Sequence, residues 1–214
     1  MISQAVQDYL KTIYKLQEEG TVSTTEIAKE LNVSGASVTG MLKRLSTMGL
    51  IDYNSYKGAK LTSSGEKIAL EIIRHHRLLE LYLKEMLGFS LEKVHEEACR
   101  LEHHISQEFL DKITELLGDP QFDPHGHPIP TKDVTIAIKE AIPLSEVDAG
   151  KKVKIVLLGD EDAKLLGFLE SLEMLPNTIL DVRKKEPFNG PITIIYNNKE
   201  KIIEIGRASC RERV

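Results

Sequence analysis

The sequence predicts a mainly α-helical protein with a C-terminal β domain: an N-terminal winged helix-turn-helix, a helical middle domain and a small barrel. Three observations carry this expectation. Apolar residues recur at helical spacing, with few interruptions, from Val6 to Leu117. Within that span, two short helical stretches joined by a tight turn precede two strand-like runs. Beyond Lys152 the pattern changes to short β-type runs separated by turn residues. A length of 214 residues and a hydrophobic fraction of 41% allow more than one packed core.

Residues 5–19 form an amphipathic helix with Val6, Tyr9, Leu10, Ile13, Tyr14 and Leu16 on its inner face, ended by Gly20. Ser23-Thr24-Thr25-Glu26 is a capping box that opens a short helix. Asn32-Val33 turns the chain, and Ser34 caps a second helix with Val38, Met41, Leu42, Leu45 and Met48 on its buried face, stopped by Gly49. In a helix-turn-helix this second helix is the recognition helix. Its outward positions are Ser34, Ala36, Ser37, Thr39 and Gly40, small enough to enter a major groove, then Lys43 and Arg44, suited to phosphate. Residues 50–53 and 59–62 read as a two-stranded wing with Lys57 near its tip, and Ser63-Ser64-Gly65-Glu66 as a second capping box. A winged helix devoted to protein contacts has the same pattern; the basic wing and the polar outer face favour DNA.

A long helix follows over 66–87, carrying His75, His76 and Glu80, and another over 90–117. Two adjacent amphipathic helices beyond so small a winged domain predict a dimer interface. The second contains HEEACRLEHH, in which His95, Cys99, Glu102 and His103 stand at i, i+4, i+7 and i+8 on one face. Imidazole, thiolate and carboxylate gathered on one face are the donors a transition metal takes, although a charged surface helix has the same composition. Residues 119–147 are rich in proline and polar residues without sustained periodicity and read as a linker or extended arm. In it His125 and His127 are read as loop residues rather than as ligands. Strands are expected over 153–157, 179–182, 192–196 and 202–203, with a helix over 161–172 and a hairpin turn at Asn197-Asn198.

The net charge of −5 argues against nucleic acid only as a sum. Between Ser34 and Ser64 the charged residues are Lys43, Arg44, Lys57 and Lys60 against Asp52, so the winged segment is locally basic. No apolar run reaches membrane-spanning length, and the N-terminus lacks the apolar core of a signal peptide. Two cysteines are too few for a disulfide framework, which predicts a reducing, cytoplasmic setting. The final EIGRASCRERV breaks the preceding pattern and matches the translation of a common sequencing-adapter oligonucleotide. Residues 205–214 are therefore read as a non-native tail, and Cys210 is given no function.

Taken together, DYLKTIY from Asp8, the helix-turn-helix, HRLLE from His76, KVHEEACRLEH from Lys93 and PHGHPIP from Pro124 resemble the DtxR/IdeR/MntR family of metal-dependent transcriptional repressors. The C-terminal part resembles the SH3-like, FeoA-type domain that many members carry. The resemblance divides the chain into a DNA-binding domain (1–64), a helical metal-binding and dimerisation domain (65–118), the linker (119–147) and the FeoA-type domain (148–204). It implies two metal positions per chain: a primary set of Asp8, Cys99, Glu102 and His103, and an ancillary set of His76, Glu80 and His95. Glu161 and Asp162 are the nearest residues of the C-terminal domain that would complete the latter. The iron-responsive branch has methionine in place of Asp8, and a hard carboxylate there favours Mn²⁺; Cys99 points back toward Fe²⁺. The manganese branch has a carboxylate where this chain has Lys11. The metal is thus Fe²⁺ or Mn²⁺.

The expected function is a cytoplasmic homodimeric repressor, not an enzyme, that binds a palindromic double-stranded operator when loaded with metal and controls metal homeostasis genes. Two alternatives stay open: a winged-helix regulator that does not sense metal, and a metal-dependent hydrolase. The latter lacks any HExxH or nucleophile motif, and its ligands would leave no position for water.

Overall fold

A computed structural model describes residues 2–17, 20–137, 141–159, 162–187 and 190–204. The tail at 205–214 and Glu161 lie outside these described residues. The chain divides into two compact units, the first of Met1–His76, Leu101–Gln107 and Pro130–Ile136, the second of Arg77–Arg100, Glu108–Ile129 and Ala137–Val214.

The first unit holds α1 (Gln4–Leu16), α2 (Thr24–Glu30), α3 (Gly35–Thr47), β1 (Ile51–Asn54), β2 (Gly58–Leu61) and the first part of α4 (Ser63–Leu87). Helical periodicity puts Val6, Leu10 and Ile13 of α1, Ile27 of α2, and Val38, Leu42 and Leu45 of α3 into one core. The capping box at α2 is complete: Ser23 Oγ accepts from the Glu26 amide at 3.2 Å, and Glu26 Oε2 accepts from the Ser23 amide at 2.8 Å. Ser34 caps α3 by accepting from the Ser37 amide. Met48 departs from its expected place: it is the C-cap of α3 and is exposed. The cap of α4 also shifts by one residue. Thr62 Oγ1, not Ser63, accepts from the Gly65 amide, so a glycine stands where the box needs a carboxylate.

The wing is an antiparallel pair running from Ile51↔Leu61 to Asn54↔Gly58. Its turn is shaped by Asn54, whose Oδ1 accepts from the Tyr56 and Lys57 amides. Val22 and Ala59 exchange two backbone hydrogen bonds of 2.8 Å, which stitch the segment before α2 onto the wing. Gly58 makes this approach feasible: its φ is +92°, and a Cβ there would lie 2.5 Å from the Val22 carbonyl oxygen.

The second unit holds the rest of α4, then α5 (Leu91–Leu101, its last residue apart), α6 (Gln107–Leu116, its first residue apart), the arm that follows except for Pro130–Ile136, and the β domain. The single helix expected over 90–117 is two helices with a turn between them. Glu102 and His103 occupy that turn, and their side chains are 1% and 2% exposed. Neighbouring residues of a continuous helix point about 100° apart, so a turn is what lets both face inward.

In the β domain, β3 (Lys152–Lys154), β4 (Ile179–Lys185), β5 (Ile192–Tyr196) and β6 (Lys199–Ile203) form an antiparallel sheet in sequence order. Strand β3 is shorter than expected. Asn197 and Asn198 both take positive φ, as a two-residue hairpin requires. Helix α7 (Ala163–Ser171) is capped by Asp162, whose Oδ1 accepts from the Lys164 and Leu165 amides. Glu170 of α7 in turn accepts from the Leu91 amide at the start of α5 and pairs with Lys84 of α4. No helix among the described residues is long and apolar enough to cross a membrane.

Candidate functional site

In the first unit, α1 supplies Gln7, Asp8 and Lys11, α4 supplies His75 and His76, and the turn after α5 supplies Glu102 and His103. Helical spacing puts Asp8 and Lys11 on one face of α1, and Lys11, His76 and His103 converge on the Glu102 carboxylate. His103 Nε2 lies 2.9 Å from Asp8 Oδ1 and 3.2 Å from Glu102 Oε1. His76 Nδ1 lies 2.6 Å from Glu102 Oε2, and the Lys11 ammonium donates to both Glu102 oxygens at 2.8 Å. Gln7 Oε1 accepts from His103 Nδ1 at 2.8 Å, which fixes the ring and leaves Nε2 facing the carboxylates.

The charges of this cluster perturb one another. Burial opposes ionisation of Glu102, yet hydrogen bonds from His103 and His76 and the charge of Lys11 hold its carboxyl well below the usual range. Burial pulls His103 down, but its bond to Glu102 and the charges of Glu102 and Asp8 bring it above its ordinary value. Burial raises the Asp8 carboxyl, and burial lowers His75.

Asp8, Glu102 and His103 bring one donor atom each within 4.8 Å of one another. Two carboxylates and an imidazole suit a divalent first-row cation. The donor set therefore fits the metal that the resemblance implies, with Gln7 supporting the imidazole from behind.

The second unit gathers a separate set of donors around Glu80, which is almost fully buried. Its Oε1 lies 3.0 Å from His95 Nδ1, and its Oε2 lies 3.6 Å from His125 Nδ1. Cys99 Sγ is 3.7 Å from His95 Nε2, one helical turn away on α5. Asp123, His125 and His127 form a further cluster, with Asp123 Oδ2 3.3 Å from His127 Nδ1. Asp123 Oδ1 accepts from the amides of His125 and His127, folding the loop around its own carboxylate. At Gly126, φ is +92° and a Cβ would lie 2.2 Å from the Val156 carbonyl oxygen, so only glycine lets the loop pack this closely. His125 is 0% exposed as a result.

Of the expected primary residues, Asp8, Glu102 and His103 thus meet in the first unit, whereas Cys99 stands on α5 beside His95. Of the ancillary residues, Glu80 and His95 meet in the second unit, and His76 donates to Glu102. Asp162 spends its side chain capping α7. Sequence reasoning set aside His125 and His127 and did not single out Asp123; the D-x-H-x-H spacing was the available signal.

On the recognition helix Ser34, Ala36, Ser37, Gly40, Lys43 and Arg44 are exposed, as is Lys57 on the wing, and Thr39 is half-buried. Several hydroxyls already have partners: Ser34 caps the helix and shares a 2.9 Å bond with Ser37, and Thr39 donates back to the Gly35 carbonyl. Tyr56, at the wing tip, is 97% exposed.

Comparison with known proteins agrees along the chain. Residues 1–59 match the family described as iron dependent repressor, N-terminal DNA binding domain. Residues 62–131 match its metal binding and dimerisation domain, and 142–211 the FeoA domain. The iron-dependent repressor IdeR of Mycobacterium leprae is 32% identical over 207 residues, covering 91% of this chain and 89% of that protein. The diphtheria toxin repressor of Corynebacterium glutamicum is 39% identical over 123 residues, 57% of this chain and 54% of its own. Among solved structures, a manganese-dependent transcriptional repressor in complex with manganese superposes with a TM-score of 0.88 at 32% identity, covering 97% of each chain. ScaR with bound Zn²⁺ gives 0.78 at 30% identity, with 94% of each covered. By sequence over nearly its whole length and by fold, the chain belongs to the family of iron-dependent repressors.

Proposed function

We propose that this protein is a homodimeric transcriptional repressor that binds a palindromic operator when a divalent metal, Fe²⁺ or Mn²⁺, occupies the centre of Asp8, Glu102 and His103. The observation that carries the reading is the convergence of these three donors inside the unit that holds the helix-turn-helix. A cation bound there supplies positive charge at the point where α1 and the turn after α5 meet. Asp8 provides the link from α1, and Glu102 and His103 provide it from the turn, with Gln7 orienting the imidazole. The polar face of α3 would then enter the major groove, with Lys43, Arg44 and Lys57 on phosphates. Long bidentate side chains are absent from residues 34–40, so selectivity rests in part on DNA shape and methyl contacts.

A second metal-binding role is assigned to the donors around Glu80, with His95, Cys99 and the Asp123-His125-His127 loop. Met86 and Leu87 at the end of α4 and Phe109 and Leu116 of α6 are exposed apolar residues of the second unit. This supports a second copy of the chain as their cover, in keeping with the dimerisation domain matched there.

The test is fluorescence anisotropy of a labelled palindromic operator of the family type, performed anaerobically with Fe²⁺, Mn²⁺ or excess chelator at two salt concentrations. Metal-dependent, salt-sensitive binding is expected. Equal binding in chelator would leave a winged-helix regulator whose metal residues serve another purpose.

A further inference from the structure

We propose that Lys11 is a resident counter-cation of the Asp8/Glu102/His103 centre, holding Glu102 in the metal-free chain and setting how much metal is needed to displace it. The inference rests on the metal-centre reading above and deepens it. A lysine is an unexpected neighbour for a cation site, since an ammonium has three donors and no lone pair. Lys11 is nevertheless buried, and it spans both Glu102 oxygens at 2.8 Å. Its nitrogen is also 3.2 Å from His76 Nδ1. That ring nitrogen cannot both donate to Glu102 at 2.6 Å and accept from Lys11; the shorter contact requires the proton, so Lys11 serves Glu102.

A carboxylate has about four lone-pair sites. Here Oε1 accepts from Lys11 and shares the His103 Nε2 hydrogen with Asp8, and Oε2 accepts from Lys11 and His76, which leaves little room for a further partner. A metal cannot engage Glu102 until one of these donors withdraws. An imidazole can turn a ring nitrogen lone pair toward a cation, whereas an ammonium has no lone pair to offer and has to give way. The ammonium thus competes for the same carboxylate and the same electrostatic well. Lys11 stabilises the metal-free state and raises the metal concentration at which the centre fills.

The experiment titrates Mn²⁺ into the chelator-stripped full chain by calorimetry, comparing it with Lys11→Met, Lys11→Gln, Lys11→Arg and Asp8→Ala. The binding component lost in Asp8→Ala identifies this centre. In Lys11→Met and Lys11→Gln that component should tighten by about tenfold or more, the worth of one charged hydrogen bond no longer displaced. Lys11→Arg, which keeps the charge, should stay within about threefold of the parent, since it retains the same competing bond. Thermal unfolding gives a second readout: in chelator Lys11→Met should melt below the parent, and saturating Mn²⁺ should raise its midpoint by more. Unchanged or weaker Mn²⁺ binding in both neutral variants overturns the role of Lys11 while leaving the centre standing. Absence of any Asp8-dependent component in the parent chain overturns the centre itself, and the proposal with it.

Discussion

Replacing Glu102 by Gln in the metal-free protein should destabilise the first unit by about 3 kcal/mol, the low end of the roughly 3–5 kcal/mol for removing one partner of a buried ion pair. The structure sets the figure. Glu102 is 2% exposed and Lys11 8%, so the ammonium left behind has little access to water. Glutamine preserves the shape and one acceptor, but its NH₂ group would face the ammonium as donor against donor. Asp8, half-buried and close enough to feel the charge of Lys11, relieves part of the imbalance, which is why the low end applies. In a chain of this size, a loss of about 3 kcal/mol lowers the melting temperature by roughly 6–12 °C. Urea unfolding in chelator, followed by far-UV circular dichroism, measures it. The double variant Lys11→Met/Glu102→Gln should cost less than the sum of the single changes, because the pair is removed together. A Glu102→Gln loss under about 1 kcal/mol, or full additivity in the cycle, would refute the picture of a closed, mutually neutralised cluster.

Three further outcomes follow from the same structure. The depressed Glu102 carboxyl contributes stability that is complete above the ordinary glutamate value of 4.5 and lost as pH falls toward its folded value. The raised His103 contributes stability that is complete below 6.5 and lost as pH rises through its folded value, so these two groups together contribute most to metal-free stability between these limits. Unfolding in chelator across pH 3–9 checks this, and a rise continuing through pH 8 would contradict it. Lys57→Ala should weaken operator binding and lower the slope of log affinity against log salt by about two for a dimer, at about 0.9 per phosphate contact; an unchanged slope removes the wing lysine from the interface. Gly126→Ala should cost more than about 1 kcal/mol, since it adds a steric clash to the strain of positive φ. Hydrogen exchange at the Leu158 amide, which donates to the His125 carbonyl at 2.8 Å, should accelerate, and unaltered protection would mean that the loop absorbs the methyl group.

The elements set by local signals were legible in the sequence. The capping box at Ser23, the cap at Ser34 and the period of α1 to α3 depend on residues within one turn of each other, and the structure has them where they were read, Met48 apart. Asp8, Glu102 and His103 were legible as candidate ligands because they recur in a pattern peculiar to one family, and the structure brings them together. The break between α5 and α6 was hidden. Leu101 and Ile105 continue the apolar spacing across it, and what opens the helix is the demand of Glu102 and His103 for partners on α1 and α4. The loop donors were hidden for a related reason. The prolines and polar residues around Asp123 give no periodic signal of burial, which comes from the contact between Gly126 and Val156. Lys11 was visible only as a missing ligand; its bond to Glu102 joins residues 91 apart in sequence.

The wing described above has a bearing on how the protein meets DNA. Paired on one side with β1 and joined on the other to Val22, β2 is the middle of a three-segment ribbon, and only the tip at 55–57 projects freely. A segment already paired on both sides has less conformational entropy left to surrender on docking. Encounters with the double helix then proceed at a rate set by collision and charge rather than by the ordering of a loop. Discrimination between right and wrong sites falls to the lifetime of each encounter. If the wing is part of the DNA interface, its rigidity would make the search fast and leave the choice to dissociation.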